Sequence, residues 1–307
     1  MNDRAALHAL VRRGPMSRIE LEQEIGLSKP AAAELLRRLT EADLVRQDGY
    51  RASSGPGPNA RLWAVNEHAG HAVGADITAT GFDVAVADLT GTVIGERKIS
   101  SRGTGPDPLP ALRKAVVDAG RSAGVRLSDL GRVVVGISGS IDPVTGRLGY
   151  ADHMPRWLGF DVPARLTEAL GIAVTVENDV NLVAIDELLH GCARGYRDVV
   201  LVWMSRGVAA ALIIDGRLHR GARGAAGEID YAPMDLDGRP LAELIDSNGV
   251  LALAQRYGVP ASRASTAVRR AVVAVSGREP TPGDPDGFLG DLATRIARSV
   301  VVGVTLI

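Results

Sequence analysis

The spacing of apolar residues divides the chain into a helical first part and a longer second part in which strands and helices alternate. In the first part, apolar positions recur every three or four residues, and the runs stop at Gly14-Pro15 and at Gly26, which predicts two short helices. A third helix is expected to begin after Ser28, whose hydroxyl can cap it, with Pro30 in its first turn. The apolar positions that define these helices are Ala6, Leu7, Leu10, Val11, Ile19, Leu21, Ile25, Leu35, Leu36, Leu39 and Leu44.

A polar segment over residues 46–51 follows the third helix and predicts a short hairpin. Residues 53–59 are rich in Ser, Gly and Pro, and Leu62, Trp63 and Val65 then resume an extended pattern. Three helices followed by a hairpin are typical of a winged helix-turn-helix. We therefore place a first domain, mostly α-helical, at residues 1–65.

From residue 71 onward, alternating and continuous apolar runs predict strands, and the helices between them predict an α/β architecture. A meander of antiparallel strands comes first, and a second hairpin near residue 200 resembles it weakly. Strands are expected at 72–77, 82–89, 93–99, 133–137, 174–176, 199–204 and 209–214, and helices at 110–123, 163–170, 241–257, 263–276 and from 288 onward.

Composition limits the class of protein. The chain has 307 residues, 46% of them hydrophobic, which suffices for the cores of about two domains. The net charge is -1, and residues 1–62 carry ten Lys and Arg against eight Asp and Glu, so charge alone does not predict nucleic-acid binding. The single cysteine, Cys192, excludes an internal disulfide and a Cys-rich zinc site. Without a signal peptide or a long apolar run, a cytoplasmic protein is expected.

The first domain carries a candidate DNA-binding surface, because the third helix has the position of a recognition helix that enters a major groove. Its hydroxyl and cations can hold phosphates, and its arginines can reach base edges. A protein-interaction module with solvated arginines is the alternative. The residues expected to face DNA are Ser28, Lys29, Ala33, Arg37 and Arg38 on the helix, with Asn59 and Arg61 beyond the wing.

The strongest candidate chemistry in the second part is Glu177-Asn178-Asp179, which closes an apolar strand just before an amphipathic helix. At a strand end facing a crevice, Asp179 could accept the proton of a hydroxyl and Asn178 could hold a neighbouring one. The alternative is that Asp179 merely caps the helix and Glu177 is solvated.

Further carboxylates follow a turn of small residues, 221–227, which lets backbone approach a ligand. Glu228 and Glu243 could each bind two hydroxyls of a polyol, or could be ordinary surface glutamates. His153, Trp157 and His219 are isolated candidates, and Trp157 is as easily a packing residue. Asp76 precedes a segment with only one glycine, Gly81, so it is expected to be a turn residue and not part of an ATP site.

Taken together, these segments resemble the ROK family of bacterial repressors, open reading frames and sugar kinases, and the resemblance covers nearly the whole chain. Gly26-Leu27-Ser28-Lys29-Pro30, within residues 21–44, is similar to the winged helix of ROK repressors. Residues 136–142, 177–181 and 224–229 are similar to the family's body motifs in the expected order. The resemblance implies an actin-like, ribonuclease H-like ATPase-type α/β body over residues 66–307, and further chain after Ile307.

The resemblance also implies roles for individual residues. Asp179 matches the catalytic base of the kinase members, and Tyr231 stands where the family has a histidine, so its hydroxyl or ring can take over a sugar contact. The residues expected to bind a sugar are Gly139, Asn178, Asp179, Glu228, Tyr231 and Glu243.

Departures from the family pattern set the expected function. Thr78-Ala79-Thr80 and Ser205-Arg206-Gly207 stand where kinases have Gly-rich phosphate turns, and the family's cysteine cluster is absent around residues 235–240. We therefore expect no bound metal, no cofactor and no enzymatic activity.

The sequence thus predicts a transcriptional regulator, a repressor, that senses a sugar or sugar phosphate through its body. A double-stranded DNA operator, palindromic for a symmetric dimer or tetramer, is the expected partner, and no membrane is expected. Two alternatives stay open: an ATP-dependent sugar kinase with Asp179 as base, and a regulator that has lost sugar binding.

Overall fold

The computed structural model describes residues 2–52, 59–100, 105–151, 153–230 and 240–305, without the side chains of 299 and 302–305. Two compact units form: Met1–Val135 with Leu166–Thr175, and Gly136–Arg165 with Val176–Ile307. The predicted domain boundary at residue 65 falls inside the first unit and stays a prediction.

The first unit opens with helix α1, strand β1 and helices α2 and α3. Ser17 begins α2 through a capping box, since its hydroxyl accepts from the Glu20 amide and the Glu20 carboxylate accepts from the Ser17 amide. Gly26 ends α2 in the left-handed conformation, with φ 66°. These elements span Asn2–Arg13 (α1), Met16–Ser17 (β1), Arg18–Ile25 (α2) and Lys29–Glu41 (α3).

A small antiparallel sheet completes this part in the order β1-β3-β2, where β2 is Val45–Arg51 and β3 is Ala60–Val65. The two-residue strand β1 was not predicted from the sequence; it pairs Met16 with Trp63. The element order is that of a winged helix-turn-helix. One apolar core joins the helices and strands, formed by Ala6, Ala9, Leu10, Met16, Leu21, Leu35, Leu36, Leu39, Val45 and Val65.

The rest of the first unit is built on a five-stranded sheet of order β10-β7-β4-β5-β6. Strands β4, β5 and β6 of this sheet form the predicted antiparallel meander. Alternate residues of β4, Val73, Ala75 and Ile77, are buried, as period two requires. The last residues of β7 and β10 belong to the second unit. The elements are His71–Thr78 (β4), Gly81–Asp88 (β5), Val93–Ser100 (β6), Leu109–Ser122 (α4), Leu130–Ile137 (β7), Val162–Leu170 (α5) and Val174–Asn178 (β10). Between β7 and α5, strands β8 (Ser140–Ile141) and β9 (Leu148–Gly149) belong to the second unit.

The second unit contains the pair β8-β9, a sheet of order β11-β12-β13 and a group of helices. Apolar side chains of the helices pack against β12 around Leu241, Ile245 and Phe288, which are fully buried. Its further elements are Asp179–Leu189 (α6), Val199–Met204 (β11), Val208–Ile214 (β12), Arg217–His219 (β13), Leu241–Ile245 (α7), Ser247–Arg256 (α8), Ala264–Val275 (α9) and Pro285–Thr305 (α10).

Three local predictions were wrong. Asp76 lies within strand β4, opposite Asp83, and not in a turn. The helix predicted over 241–257 is two helices, because Asp246 turns the chain and its carboxylate caps α8 at the Gly249 amide, 2.6 Å away. Ser28 occupies the cap position of α3 but its hydroxyl makes no capping hydrogen bond. Among the described residues, no helix is long and apolar enough to cross a membrane.

Candidate functional site

The end of strand β10 and the start of helix α6 place Asn178 and Asp179 beside Gly139. The Asn178 side chain caps α6, because its Oδ1 accepts from the Asn181 amide at 3.1 Å. Its Nδ2 donates to the Gly139 carbonyl at 3.0 Å, which joins the strand end to the segment after β7. The alternative in which Asp179 caps the helix was therefore wrong: Asn178 does so, and Asp179 is left for other contacts.

Glu177 is buried, which contradicts the alternative in which it is solvated. Its Oε1 accepts from the Asn178 amide at 3.0 Å and from Asn181 Nδ2 at 2.9 Å, and its Oε2 accepts from Arg220 Nε at 2.6 Å. Asn181 is 2% exposed, and its Oδ1 has no hydrogen-bond partner among the described residues. A buried amide oxygen without a partner is uncommon, and a ligand or water can use it as an acceptor.

The turn of small residues that leads to Glu228 packs tightly against strand β12. Gly227 has φ 94°, and a Cβ atom there would overlap the carbonyl oxygen of Ala210. The Gly227 carbonyl in turn accepts from the Ala210 amide at 2.8 Å. No other residue fits this position, so the approach of the turn to the strand fixes the backbone just before Glu228.

Asp179 and Glu228 lie close enough for their charges to interact. Burial, together with the negative charges of Asp179 and Asp230, raises the pKa of Glu228 to about 7. Burial also raises the pKa of Asp179, against an opposing effect from His153 and from backbone hydrogen bonds. A pair of recessed carboxylates that lacks a lysine or arginine partner among the described residues can accept hydrogen bonds from several hydroxyls.

The structure brings four predicted sugar-binding residues together: Gly139, Asn178, Asp179 and Glu228. Glu243 is exposed in the first turn of α7, and the charges that raise the Glu228 pKa come from Asp179 and Asp230, not from Glu243. Tyr231 lies outside the described residues, as does most of the segment 235–240.

Two of the isolated candidates do not join this group. Trp157 is 2% exposed and is a packing residue. His219 is exposed at the end of β13. His153 is different, since its charge acts on Asp179.

Asp230 holds the turn between β11 and β12, one of the two turns where phosphate binding was expected to be lost. Its Oδ1 accepts from the Val208 amide at 2.7 Å, and Ser205 is fixed by a bond from its amide to the Gly207 carbonyl. The Asp230 carboxylate thus already accepts a hydrogen bond from the Val208 amide of this turn. Backbone amides that bind phosphate must be unoccupied, and a negative charge beside them disfavours an anion.

The turn between β4 and β5, in the first unit, is closed by its own side chain. Thr78 Oγ1 accepts from the amides of Thr80 at 3.3 Å and Gly81 at 3.1 Å, and donates to the Gly81 carbonyl. These amides are therefore satisfied within the turn.

Helix α3 carries its predicted DNA contacts at exposed positions, but its two arginines are already paired with carboxylates. Arg37 contacts Glu34 and Glu41, each at 2.6 Å, and Arg38 contacts Asp3 of α1 at 2.5 Å. Lys29 and Ala33 are exposed. The two arginines of this face thus have acidic partners that a phosphate would have to displace.

Arg61 is the exposed residue of strand β3, and its guanidinium carbon lies 5.8 Å from the centre of the Trp63 ring. Hydrogen bonds from Gln47 and Arg61 lower the pKa of Tyr50, which places this phenol beside the same guanidinium. Asn59 is exposed.

Sequence reasoning missed Arg220 and Asp230, and it gave Glu177 no role beyond the alternative in which its side chain is solvated. The spacing of Asn178 and Asn181, cap and third helical position, was a local signal for part of this network. Arg220 and Asp230 carry no such signal, because their partners lie 43 and 22 residues away in the chain.

Comparison with known proteins gives this arrangement a context. The family model described as the ROK family matches residues 72–248, more than half of the chain. The xylose repressor of Bacillus spizizenii is 25% identical over 242 residues, which cover 78% of this chain and 62% of that protein. The chain therefore spans about three fifths of the length of this curated relative.

Solved structures share the fold. A ROK family transcriptional regulator, a homolog of the E. coli MLC protein, has a TM-score of 0.71 at 19% identity and covers all of this chain and 81% of its own. A ROK family glucokinase from Streptomyces griseus, in complex with glucose and AMPPNP, has a TM-score of 0.57 at 21% identity, over 78% of this chain and 80% of its own. The predicted α/β fold class with an actin-like body is thereby confirmed.

Proposed function

The chain belongs to the ROK family, and we propose that it is a DNA-binding transcriptional repressor whose body binds a sugar or sugar derivative without phosphorylating it. The observation that carries the proposal is a group of recessed polar side chains beside a turn whose backbone amide is already bound by a carboxylate. Asn178, Asp179 and Glu228 are assembled, whereas Asp230 occupies the Val208 amide. The relative that is named as a xylose repressor supports the same reading.

The sugar acts as the effector in this proposal. A ligand changes operator affinity only through its different affinity for the DNA-bound and DNA-free protein. The DNA contacts belong to Ser28, Lys29, Arg37 and Arg38 of α3, with Asn59 and Arg61 beyond the wing. Two-fold symmetry of a homodimer, or of a tetramer built from dimers, would require a palindromic operator.

An electrophoretic mobility shift titration against the upstream region of the gene itself tests the DNA-binding part. We expect a complex that weakens steeply with salt and that survives competition by scrambled DNA of equal length. A Lys29→Ala, Arg37→Ala double variant should lose it. Binding that is equal on scrambled DNA, or none at all, would rule out a sequence-selective repressor.

Isothermal titration calorimetry with D-xylose, D-glucose, N-acetyl-D-glucosamine and their phosphates tests the effector part. We expect one class of sugar to bind, and Glu228→Ala to abolish that binding. Glu168→Ala is the matched control, since Glu168 is exposed on α5 and is not among the predicted sugar-binding residues. A protein that binds its operator and none of these sugars would be a regulator that has lost sugar binding.

Sugar phosphorylation is the second candidate function. Asp179 follows the end of strand β10, near Glu228, and its pKa is raised by burial. A carboxylate with a raised pKa can act as a general base. A coupled assay for ADP release with each sugar decides between the two. We expect no sugar-dependent turnover. Turnover that disappears in Asp179→Asn would make the protein a kinase with a DNA-binding domain.

A further inference from the structure

The ion pair of Glu177 and Arg220 connects the two segments that carry the hydroxyl-binding carboxylates. Glu177 immediately precedes Asn178 and Asp179 at the end of β10. Arg220 immediately precedes the turn of small residues that ends at Glu228, and its own carbonyl accepts from the Ala226 amide at 3.1 Å. A single contact of 2.6 Å between Arg220 Nε and Glu177 Oε2 thus spans 43 residues of sequence.

The two partners differ in their surroundings. The Glu177 side chain is 10% exposed, whereas that of Arg220 is 52% exposed. Among the described residues, three groups donate to the Glu177 carboxylate: the Asn178 amide, Asn181 Nδ2 and Arg220 Nε. The first two lie on the same segment as Glu177 itself, so Arg220 is the one that reaches from the other segment.

We propose that Glu177 and Arg220 are positioning residues that set the separation of Asp179 and Glu228. The buried carboxylate of Glu177 is fixed by its own segment and offers Oε2 as an anchor. Arg220 binds this anchor and holds the start of the small-residue turn, while the packing of Gly227 on Ala210 holds its end. Glu228 follows directly and is thereby directed toward Asp179. Neither partner needs to touch the ligand.

The inference rests on the proposed sugar site, but one of its consequences can be measured without a sugar. The pKa of Glu228 is raised to about 7 in part by the charge of Asp179. If Arg220 holds the two carboxylates together, Arg220→Gln should let them separate, and the pKa of Glu228 should fall. Loss of the Arg220 charge without any movement would instead raise the pKa of Glu228, because a nearby cation favours the ionised carboxylate.

The experiment is a pH titration of the side-chain carboxyl carbons of glutamate, labelled with ¹³C and observed by NMR, with Glu228 assigned through the Glu228→Gln variant. We expect the Glu228 midpoint to fall in Arg220→Gln and to stay near the wild-type value in Arg220→Lys, which retains a cation for Glu177. Arg197→Gln, which breaks the exposed pair with Asp215 in the same unit, is the matched control and should leave the midpoint unchanged.

Sugar affinity provides the second readout. Outer partners that orient binding groups typically contribute tenfold or more to affinity, so Arg220→Gln should weaken the sugar identified by calorimetry by about tenfold. Arg220→Lys should recover part of the loss, and Arg197→Gln should bind as the wild type does.

The outcomes separate this inference from the proposed function. An unchanged or raised Glu228 midpoint in Arg220→Gln overturns the positioning role, whether or not a sugar binds. A lowered midpoint in a protein that binds no sugar supports the positioning role and overturns the sugar-sensing part of the proposed function. If Arg220→Gln melts without a cooperative transition, Arg220→Met is titrated in its place: a lowered Glu228 midpoint supports the positioning role, and an unchanged or raised midpoint overturns it.

Discussion

The charged residues of helix α3 and those of the carboxylate site are arranged in opposite ways. On α3, Arg37 and Arg38 are exposed and each has an acidic partner on the surface. At the carboxylate site, burial raises the pKa of both Asp179 and Glu228, and the charge of Asp179 adds to the rise at Glu228. Neither carboxylate has a lysine or arginine partner in the described part of the chain.

The difference agrees with the two ligands that the proposed function assigns to these surfaces. Exposed ion pairs contribute little to stability, so an arginine can exchange a carboxylate partner for a DNA phosphate at small cost. Recessed carboxylates without counter-charges destabilise the folded protein, and a ligand that supplies several hydroxyl donors recovers that loss on binding. Under the proposed function, the arginines of α3 would exchange their partners for DNA phosphates, and the recessed carboxylates would accept hydrogen bonds from a neutral polar ligand.

The largest expected effect tests how tightly each region is packed. Gly227→Ala places a Cβ against the Ala210 carbonyl at φ 94°, so we expect a loss of roughly 3 kcal/mol or more in stability. Gly26→Ala, in the turn before α3, has φ 66° and open space around it, and should cost only about 1 kcal/mol. Thermal unfolding followed by circular dichroism measures both. Equal losses would remove the contrast in packing.

The next effect concerns the buried charge. The folded-state pKa of Glu228, about 7, lies above its ordinary value of 4.5, so the folded protein binds this proton more tightly. The stability that this proton contributes is present below pH 4.5 and lost as pH rises through 7. Glu228→Gln should therefore be more stable than the wild type at pH 8, by at most about 3 kcal/mol, and the two should converge at acid pH.

Unfolding in urea at a series of pH values measures this difference. Glu34→Gln is the matched control, because Glu34 is exposed and its pKa is lowered by Arg37. It should show no gain at pH 8. If Glu228→Gln shows no pH-dependent gain in the free energy of unfolding, the ionised Glu228 side chain does not destabilise the folded protein as we predict.

A smaller effect is expected when a cation is removed from helix α3. Arg37→Ala should leave the melting temperature nearly unchanged and reduce the salt dependence of operator binding by about one counterion, since each neutralised phosphate contributes about 0.9 to the slope. Fluorescence anisotropy at several salt concentrations gives the slope. Arg197→Ala removes an arginine from an exposed pair elsewhere, and should leave the slope intact.

The smallest effect comes from releasing a cation. Asp3→Asn removes the acidic partner of Arg38 and should strengthen operator binding by about twofold to threefold, a modest change because the pair is exposed. Glu168→Gln makes the same change of charge at an exposed position of α5 and serves as the control. Equal gains in the two variants would indicate a general charge effect and not the release of Arg38.

Much of the fold was predictable because the spacing of apolar residues and the turn residues specify its helices and strands locally. The bounds of α2, α3 and the strands of the meander follow from apolar spacing and from turn residues such as Gly26. The break at Asp246 was missed because apolar periodicity runs through it, although an aspartate that precedes a helix is a recognisable cap. The pairing of β1 with β3 was missed because a two-residue strand has no period.

The sequence by itself determined the class of protein: an α/β body with retained polar motifs, preceded by a helix-turn-helix pattern, with threonines and an arginine where phosphate-binding glycines were expected. Tertiary structure decided which of these polar residues act together. It buried Glu177 and paired it with Arg220, gave the helix cap to Asn178, set Asp230 on the Val208 amide and left Glu243 exposed. The physical reason is that periodicity reports the burial of apolar faces, whereas hydrogen bonds and charges depend on segments that meet only when the chain has folded.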